Sequence, residues 1–284
     1  MTKAAQPIAP GVVPQIMYGT AWKEDATQGL VKQALEQGFR AIDSANQRKH
    51  YFEAATGRAV RTYIESGALR REQLFIQSKY TFAAGQDARL PYDPNAPISQ
   101  QVEESIRSTL AHFGTDYLDS FVLHGPSVRV GLGQSDRDAW RAMEDKVATG
   151  QAKSLGVSNV TAEQLELLWE FARVKPRFVQ NRCYATTGWD RAVREFCIAN
   201  GFLYQGFSLL TANLPVLEHP PVVAIAAKQS LTSAQLIFRF ALDVGMIPLT
   251  GTTSHDHMVQ DLQAIASEPL GSDDKAFLEN IATR

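Results

Sequence analysis

Short apolar runs alternate with longer amphipathic stretches along this chain, and each kind predicts its own element. A brief run such as Leu74-Phe75-Ile76, bounded by polar residues, reads as a strand; apolar residues at helical spacing read as a helix buried on one face. On that basis strands are expected at residues 13–20, 39–45, 74–80, 118–124, 152–159, 177–184, 202–210 and 246–250. The first helix is expected from Asp25-Ala26-Thr27-Gln28, which has the form of an N-terminal capping box. Leu30, Val31, Ala34 and Leu35 share its inner face, and Gly38 is its stop. Further helices are expected over 53–66, with Ala59, Val60, Tyr63 and Ile64 inward, and from Ile98 through Val102, Ile106, Leu110 and Phe113. Ser135 opens the next, with Trp140, Met143 and Val147 facing in. A second capping box, Thr161-Ala162-Glu163-Gln164, leads into Leu165, Leu168 and Trp169. Helices over 189–200, 232–244 and 257–266 and a short one over 273–281 complete the set, while 211–229 reads as a longer excursion.

Strict alternation of strand and helix implies a parallel sheet. Eight such units in this length point to one (β/α)8 barrel, an α/β fold whose active site lies at the C-terminal ends of the strands. An open dinucleotide-binding sheet would carry G-x-G-x-x-G after its first strand. Here Gly19 stands alone, and Gly131-Leu132-Gly133 opens no such turn. Without an internal repeat beyond the unit itself or a low-complexity linker, residues 1–284 are expected to form a single domain.

Composition narrows the setting. The 284 residues are 44% hydrophobic and 20% charged, with a net charge of −2, as in ordinary globular proteins. Such a balance offers no electrostatic footing for nucleic acid or an anionic membrane surface. The start, 1–14, carries Pro7, Pro10 and Pro14 and lacks the apolar core of a signal peptide, so the cytoplasm is the expected compartment. Cys183 and Cys197 lack zinc-ligand spacing and read as buried thiols. His255-Asp256-His257 has no further ligands beside it, so no metal is expected.

The chemistry gathers where the apolar runs stop. Asp43, Lys79 and His124 each stand at a strand end, and Tyr51 follows Asp43 through a basic turn. Each has an ordinary structural reading when taken singly: half of an ion pair, a core histidine, a packed aromatic. Together on one barrel face they form a proton-transfer set. A free phenol has a pKa of about 10; a neighbouring ammonium is expected to lower that of Tyr51, with Asp43 fixing and balancing Lys79. A neutral His124 would hold a substrate oxygen. Residue types alone support a general acid–base enzyme on a barrel and do not name the hydride donor.

Taken together, "GTAWK", "AIDSANQRKHYFEAATG", "LFIQSKY", "YLDSFVLHGP", "SLGVSNV", "FVQNRCY" and "IPLTGTTSHDHM" resemble the aldo-keto reductase family, in order, from about Gly19 to Leu262. The resemblance implies a (β/α)8 barrel and hydride transfer between a nicotinamide dinucleotide and an aldehyde or ketone. It puts Asp43, Tyr51, Lys79 and His124 on the family's catalytic tetrad, with Trp22, Tyr51 and His124 touching substrate. The tyrosine usually follows the aspartate by five residues; here Arg48-Lys49-His50 lengthens the loop, and Tyr51-Phe52-Glu53 stands where the family has Tyr-x-Asn-Glu. Gly19, Thr20, Ser158, Asn159, Gln180, Phe207, Ser208, Leu210, Thr250, Gly251, Thr252, His257 and Asp261 fall on cofactor-binding positions. Among them Ser158, Asn159 and Gln180 would hold the carboxamide, and Phe207 would stack on the nicotinamide ring. The cations that clamp a 2′-phosphate in many relatives are replaced by Leu249 and His257. NADP(H) is the expected cofactor, with NAD(H) as the alternative, and the expected partner is a small carbonyl substrate of a monomer or weak homo-oligomer. Trp22, the 80–82 corner and the 127–134 loop would make an open, apolar-rimmed mouth for varied aldehydes or ketones. The competing reading is a catalytically weak, nucleotide-binding regulatory or partner-binding subunit on the same barrel.

Overall fold

The computed structural model describes residues 13–281, so nearly all of the proline-bearing start lies outside the described residues. Eight strands pair side by side in chain order, every pair parallel, and the last closes onto the first. They are β1 (Met17–Gly19), β2 (Ala41–Asp43), β3 (Phe75–Tyr80), β4 (Ser120–Leu123), β5 (Leu155–Ser158), β6 (Phe178–Arg182), β7 (Leu203–Phe207) and β8 (Met246–Thr250). Between them run α1 (Thr27–Gln37), α2 (Glu53–Glu65), α3 (Ile98–Phe113), α4 (Gln134–Ala148), α5 (Ala162–Phe171) and α6 (Arg191–Asn200). After β7 come α7 (Leu214–Leu217), α8 (Pro220–Lys228) and α9 (Ser233–Asp243); α10 (His255–Ala266) and α11 (Ser272–Glu279) follow β8.

Alternate strand residues face opposite sides of the sheet, and both sides here are covered. Tyr18, Ile42, Ile76, Phe121, Val157 and Val179 point outward into the large core beneath the helices. Met17, Ala41, Phe75, Phe178, Ile247 and Leu249 form a second, smaller cluster. Two residues further along their strands come Gly19, Asp43, Gln77 and Gln180, so the apolar plug inside the barrel gives way to a polar level toward the C-terminal face. The register makes this level continuous, pairing Gly19 with Asp43, Asp43 with Gln77, Ser158 with Gln180 and Gln180 with Gln205.

Two local expectations are corrected. Asp25 does not cap the first helix: Glu24–Ala26 form a 3-10 turn and Ala26 occupies the cap position, without a side-chain bond. Thr27 is buried and donates its hydroxyl to the Glu24 carbonyl at 2.6 Å, so the box pattern is consumed one turn early. Residues 211–229 contain α7 and α8, each with proline in its first turn, where the missing N–H costs no helical bond. The Thr161 box does form, its hydroxyl accepting from Gln164 N at 3.2 Å. Gly38 ends α1 with φ +113°, a conformation that favours glycine.

Candidate active site

Lys79 is fully buried, two residues past Gln77 on the same face of β3. Its ammonium donates to both Asp43 oxygens at 2.7 Å and to the Ser44 carbonyl at 2.8 Å. All three N–H groups are therefore engaged, as a buried cation requires. Asp43 also accepts from Gln77 Nε2 at 2.7 Å and Gln180 Nε2 at 3.0 Å, and both amides donate to Gln205 Oε1. Gln205 Nε2 returns a bond to Gln77 Oε1 at 3.0 Å. This closed amide network locks the carboxylate in one orientation. Gln77 and Gln205 escaped the sequence reading, because polar residues inside apolar runs identify their partners only when the barrel closes.

Tyr51 is held from several sides. Its N–H donates to the Gln47 carbonyl at 3.0 Å, and it forms an antiparallel bridge with Ala21. Glu53, just beyond it, is buried and accepts from Ser78, from Thr109 at 3.0 Å and from His112 at 2.8 Å, pinning the start of α2. The phenol ring stands with its centroid 5.2 Å from Lys79 Nζ and 5.8 Å from the His124 ring, edge-on to the latter. The expected lowering of its pKa does not occur. Burial, then the Asp43 carboxylate, raise it. Lys79 spends its charge and all its donors on Asp43 and Ser44, so Tyr51 meets a neutralised pair in a poorly solvated place. Tyr51 is a protonated phenol, an acid by default.

His124 lies one residue past β4. Burial first, then the positive Lys79 and the nearby His50, push its pKa well below the usual imidazole range, so the ring is neutral. The Thr81 hydroxyl lies 2.7 Å from Nδ1; the tautomer in which that hydroxyl donates carries the ring proton on Nε2, toward the cavity. Asn159 donates its side-chain amide to the His124 carbonyl at 2.8 Å and to Ser158 Oγ at 3.1 Å, from a backbone at φ +54°.

These groups border a cavity of about 1390 Å³. Asp43, Tyr51, His124, Trp22, Ser158, Asn159, Gln180, Phe207, Ser208, Leu210, Gly19, Thr250, Gly251, Thr252, His257 and Asp261 all line it. Lys79 lies out of reach beneath. Thr20, expected among the cofactor ligands, does not line the cavity. It is fully buried, and both its N–H and its hydroxyl donate to the Asp43 carbonyl at 3.0 Å. Thr250 donates to Asp261 at 2.6 Å, and burial pushes the Asp261 carboxyl up to about 6. Arg182 stacks over Phe207 at 5.5 Å.

The cavity suits a nicotinamide dinucleotide in one specific respect. Lys23 lines it at 6% exposure, without a carboxylate partner among the described residues. Its ammonium donates to the Gly251 carbonyl at 2.6 Å and lies 5.2 Å from the Tyr18 ring centroid, and burial lowers its pKa to about 8. A buried cation with donors to spare and no counter-ion fits an anionic ligand, such as the cofactor's phosphates. Among the described residues no group of three His, Cys, Asp or Glu side chains could hold a metal ion. Nor is any helix there long and apolar enough to cross a membrane.

A closed parallel barrel with an acid, an amine, a phenol and an imidazole at the C-terminal strand ends is the frame of a proton-transferring barrel enzyme. A model described as the Aldo/keto reductase family matches residues 15–282. The chain therefore belongs to the aldo/keto reductase family. It is 30% identical over 253 residues to an uncharacterized oxidoreductase of Schizosaccharomyces pombe, covering 88% of this chain and 82% of that one. An NAD(P)H-dependent D-xylose reductase of Pyricularia oryzae is 26% identical over 304 residues, covering 93% and 88%. An aldose reductase structure from Schistosoma japonicum shares the fold, with a TM-score of 0.81, 24% identity and coverage of 98% and 92%. Membership makes this chain an oxidoreductase of the NAD(P)H-dependent, carbonyl-reducing kind.

Proposed function

We propose that the protein reduces aldehydes or ketones to alcohols with NADPH, and that Tyr51 is the proton donor. The observation that carries this is the protonated Tyr51 phenol, set between neutral His124 and the Lys79–Asp43 pair at the cavity floor. A nicotinamide dinucleotide bound in the cavity would supply the hydride for the carbonyl carbon. Tyr51 gives its proton to the carbonyl oxygen, so the C=O double bond becomes an alcohol and the phenol is left as phenolate. His124 Nε2–H donates to the same oxygen and orients it. As the phenolate forms, the Lys79 ammonium 5.2 Å from the ring centroid offsets only part of the cost that burial and Asp43 impose, while Asp43 and the glutamines keep that ammonium in place. A phenol that burial keeps protonated has its proton in place for the reduction step.

Ser158, Asn159, Gln180 and Phe207 would hold the nicotinamide end. Lys23, Ser208, Leu210, Thr250, Gly251, Thr252, His257 and Asp261 would serve the rest of the cofactor. NADP(H) is proposed over NAD(H) on the family resemblance; β8 and α10 carry no lysine or arginine along the cavity, and Lys23 is the buried charge there that could meet a cofactor phosphate. We further read the chain as one cytoplasmic domain, a monomer or weak homo-oligomer. The test is Tyr51→Phe, assayed by NADPH oxidation with a panel of aldehydes and ketones. A loss of about 100-fold or more in kcat, with NADPH binding retained by fluorescence titration, is expected for removal of a general acid. Unchanged turnover overturns the assignment. Dinucleotide binding by the unmodified protein without turnover of any carbonyl would instead leave a nucleotide-binding subunit.

A further inference from the structure

The three residues that lengthen the loop before Tyr51 have separate fates. Arg48 turns away to pair with Glu24 at 2.9 Å and to cover the Phe52 ring, and Lys49 is exposed. Only His50 lines the cavity. Its backbone is fixed at both ends, the N–H donating to Gln47 O at 3.2 Å and the carbonyl accepting from Trp22 N at 2.7 Å. Its ring lies against the Trp22 indole, centroids 4.0 Å apart and planes 34° apart.

Trp22 itself is 70% exposed and held at φ +61°, a left-handed conformation costly for a bulky side chain. Backbone outliers of this kind persist where the surroundings impose them, and they cluster at ligand sites. Neither ring nitrogen of the half-buried His50 has a hydrogen-bond partner among the described residues. Burial first, then Lys49, lowers its pKa against the pull of Asp87, so it presents one N–H donor and one bare acceptor. It lies close enough to His124 to depress that ring's pKa. The same cavity wall carries Phe82, Ala84 and Val128 together with Gln47, Thr81 and Arg129. A neutral imidazole that lines the cavity, is braced on one face by an indole and spends neither ring nitrogen on the protein is the kind of polar group by which a pocket orients its ligand.

We propose that His50, braced by Trp22, is a substrate-specificity residue. It hydrogen-bonds an oxygen on the carbon next to the reacting carbonyl, so that α-hydroxy and α-oxo carbonyl compounds are favoured over plain aldehydes and ketones. The proposal rests on the reductase reading: the reacting oxygen sits at Tyr51 and His124, and His50 meets the substituent beside it. A site built to bond a substrate oxygen discriminates against analogues that lack it, because its own polar group is then left unpaired.

The experiment compares kcat/KM for hydroxyacetone and 2-butanone, near-isosteres differing in one hydroxyl, in the unmodified protein, His50→Phe and His50→Gln. Using the same two ketones throughout cancels their intrinsic reactivities. His50→Phe keeps a ring on Trp22 and is expected to lower the hydroxyacetone to 2-butanone ratio roughly three- to tenfold, about one neutral hydrogen bond. His50→Gln, which keeps a donor and an acceptor, is expected to restore part of it. Independently of turnover, glycolamide should shift the His50 ring proton resonances, identified by their loss in His50→Phe, and propionamide should not. An unchanged ratio in His50→Phe, or an equal loss on both ketones in both variants, overturns the proposal and leaves the reductase reading standing. If the unmodified protein reduces no carbonyl compound at all, the reductase reading falls and takes this one with it.

Discussion

Lys23 and Lys79 show how one residue type is set to two tasks by its surroundings. Lys79 gives every donor to Asp43 and Ser44 beneath the cavity floor, where burial lowers its pKa and the Asp43 carboxylate pulls the other way. Lys23 is nearly as buried but meets only a carbonyl and a ring face, and its pKa falls to about 8. The direction of the resulting pH effect follows from that value. Below about 8 the ammonium is charged and attracts phosphate; as pH rises through 8 the free protein loses that proton and the attraction weakens. NADPH affinity measured by fluorescence titration should therefore fall between pH 7 and 9, and Lys23→Met should both weaken binding and flatten that slope. A slope unchanged by Lys23→Met would remove Lys23 from the cofactor site. In the folded protein alone the sign is opposite. The depressed pKa means that the unfolded chain binds more protons between about 8 and 10.5, so this lysine's burial costs less stability as pH rises through that window.

Two glycines in neighbouring helices carry opposite expectations. Gly57 lies where α2 crosses α3, and a Cβ there would come within 2.0 Å of the His112 carbonyl oxygen. The helices approach closely only because that atom is missing. Gly57→Ala must push α2 outward, and α2 begins at Glu53, two residues from Tyr51. A loss of about 1–3 kcal/mol or more in urea unfolding is expected, the usual cost of overpacking. Gly29 stands in the first turn of α1, and a Cβ there would meet nothing within 4 Å. Gly29→Ala should stabilise by about 0.5–1 kcal/mol, since alanine loses less backbone freedom on entering a helix. Similar effects for the two substitutions would contradict this account of the α2–α3 crossing.

The barrel closes at the β8–β1 seam, and the cavity reaches across it. Tyr18 donates to the Thr252 carbonyl at 2.9 Å and Lys23 to the Gly251 carbonyl at 2.6 Å, tying the first strand and its loop to the last. A ligand held on both sides of this seam stabilises the closed barrel as a whole. By linkage, NADPH at 100 times its dissociation constant should add about 2.7 kcal/mol to stability. Thermal unfolding should move up by several degrees, less so in Lys23→Met. No shift with either dinucleotide would argue against a cofactor at this seam.

The eight β-α units were legible along the chain because helix and strand differ in hydrophobic period, a local property. The acid, amine and imidazole at strand ends were legible for the same reason, since a parallel barrel gathers all such ends on one face. Other features depend on what lies across the barrel, which no local pattern records. Register alone brings Gln77 and Gln205 to Asp43, and packing turns Thr20 away from the cavity to hold the Asp43 carbonyl. The protonation of Tyr51 was beyond the sequence too. A nearby lysine predicts a lowered pKa, but burial and the prior claim of Asp43 on that lysine reverse the sign. The amino-acid order determined which chemical groups the barrel brings to its C-terminal face. Tertiary structure decided their charge states and partners, because desolvation and hydrogen bonding act between residues far apart in the chain.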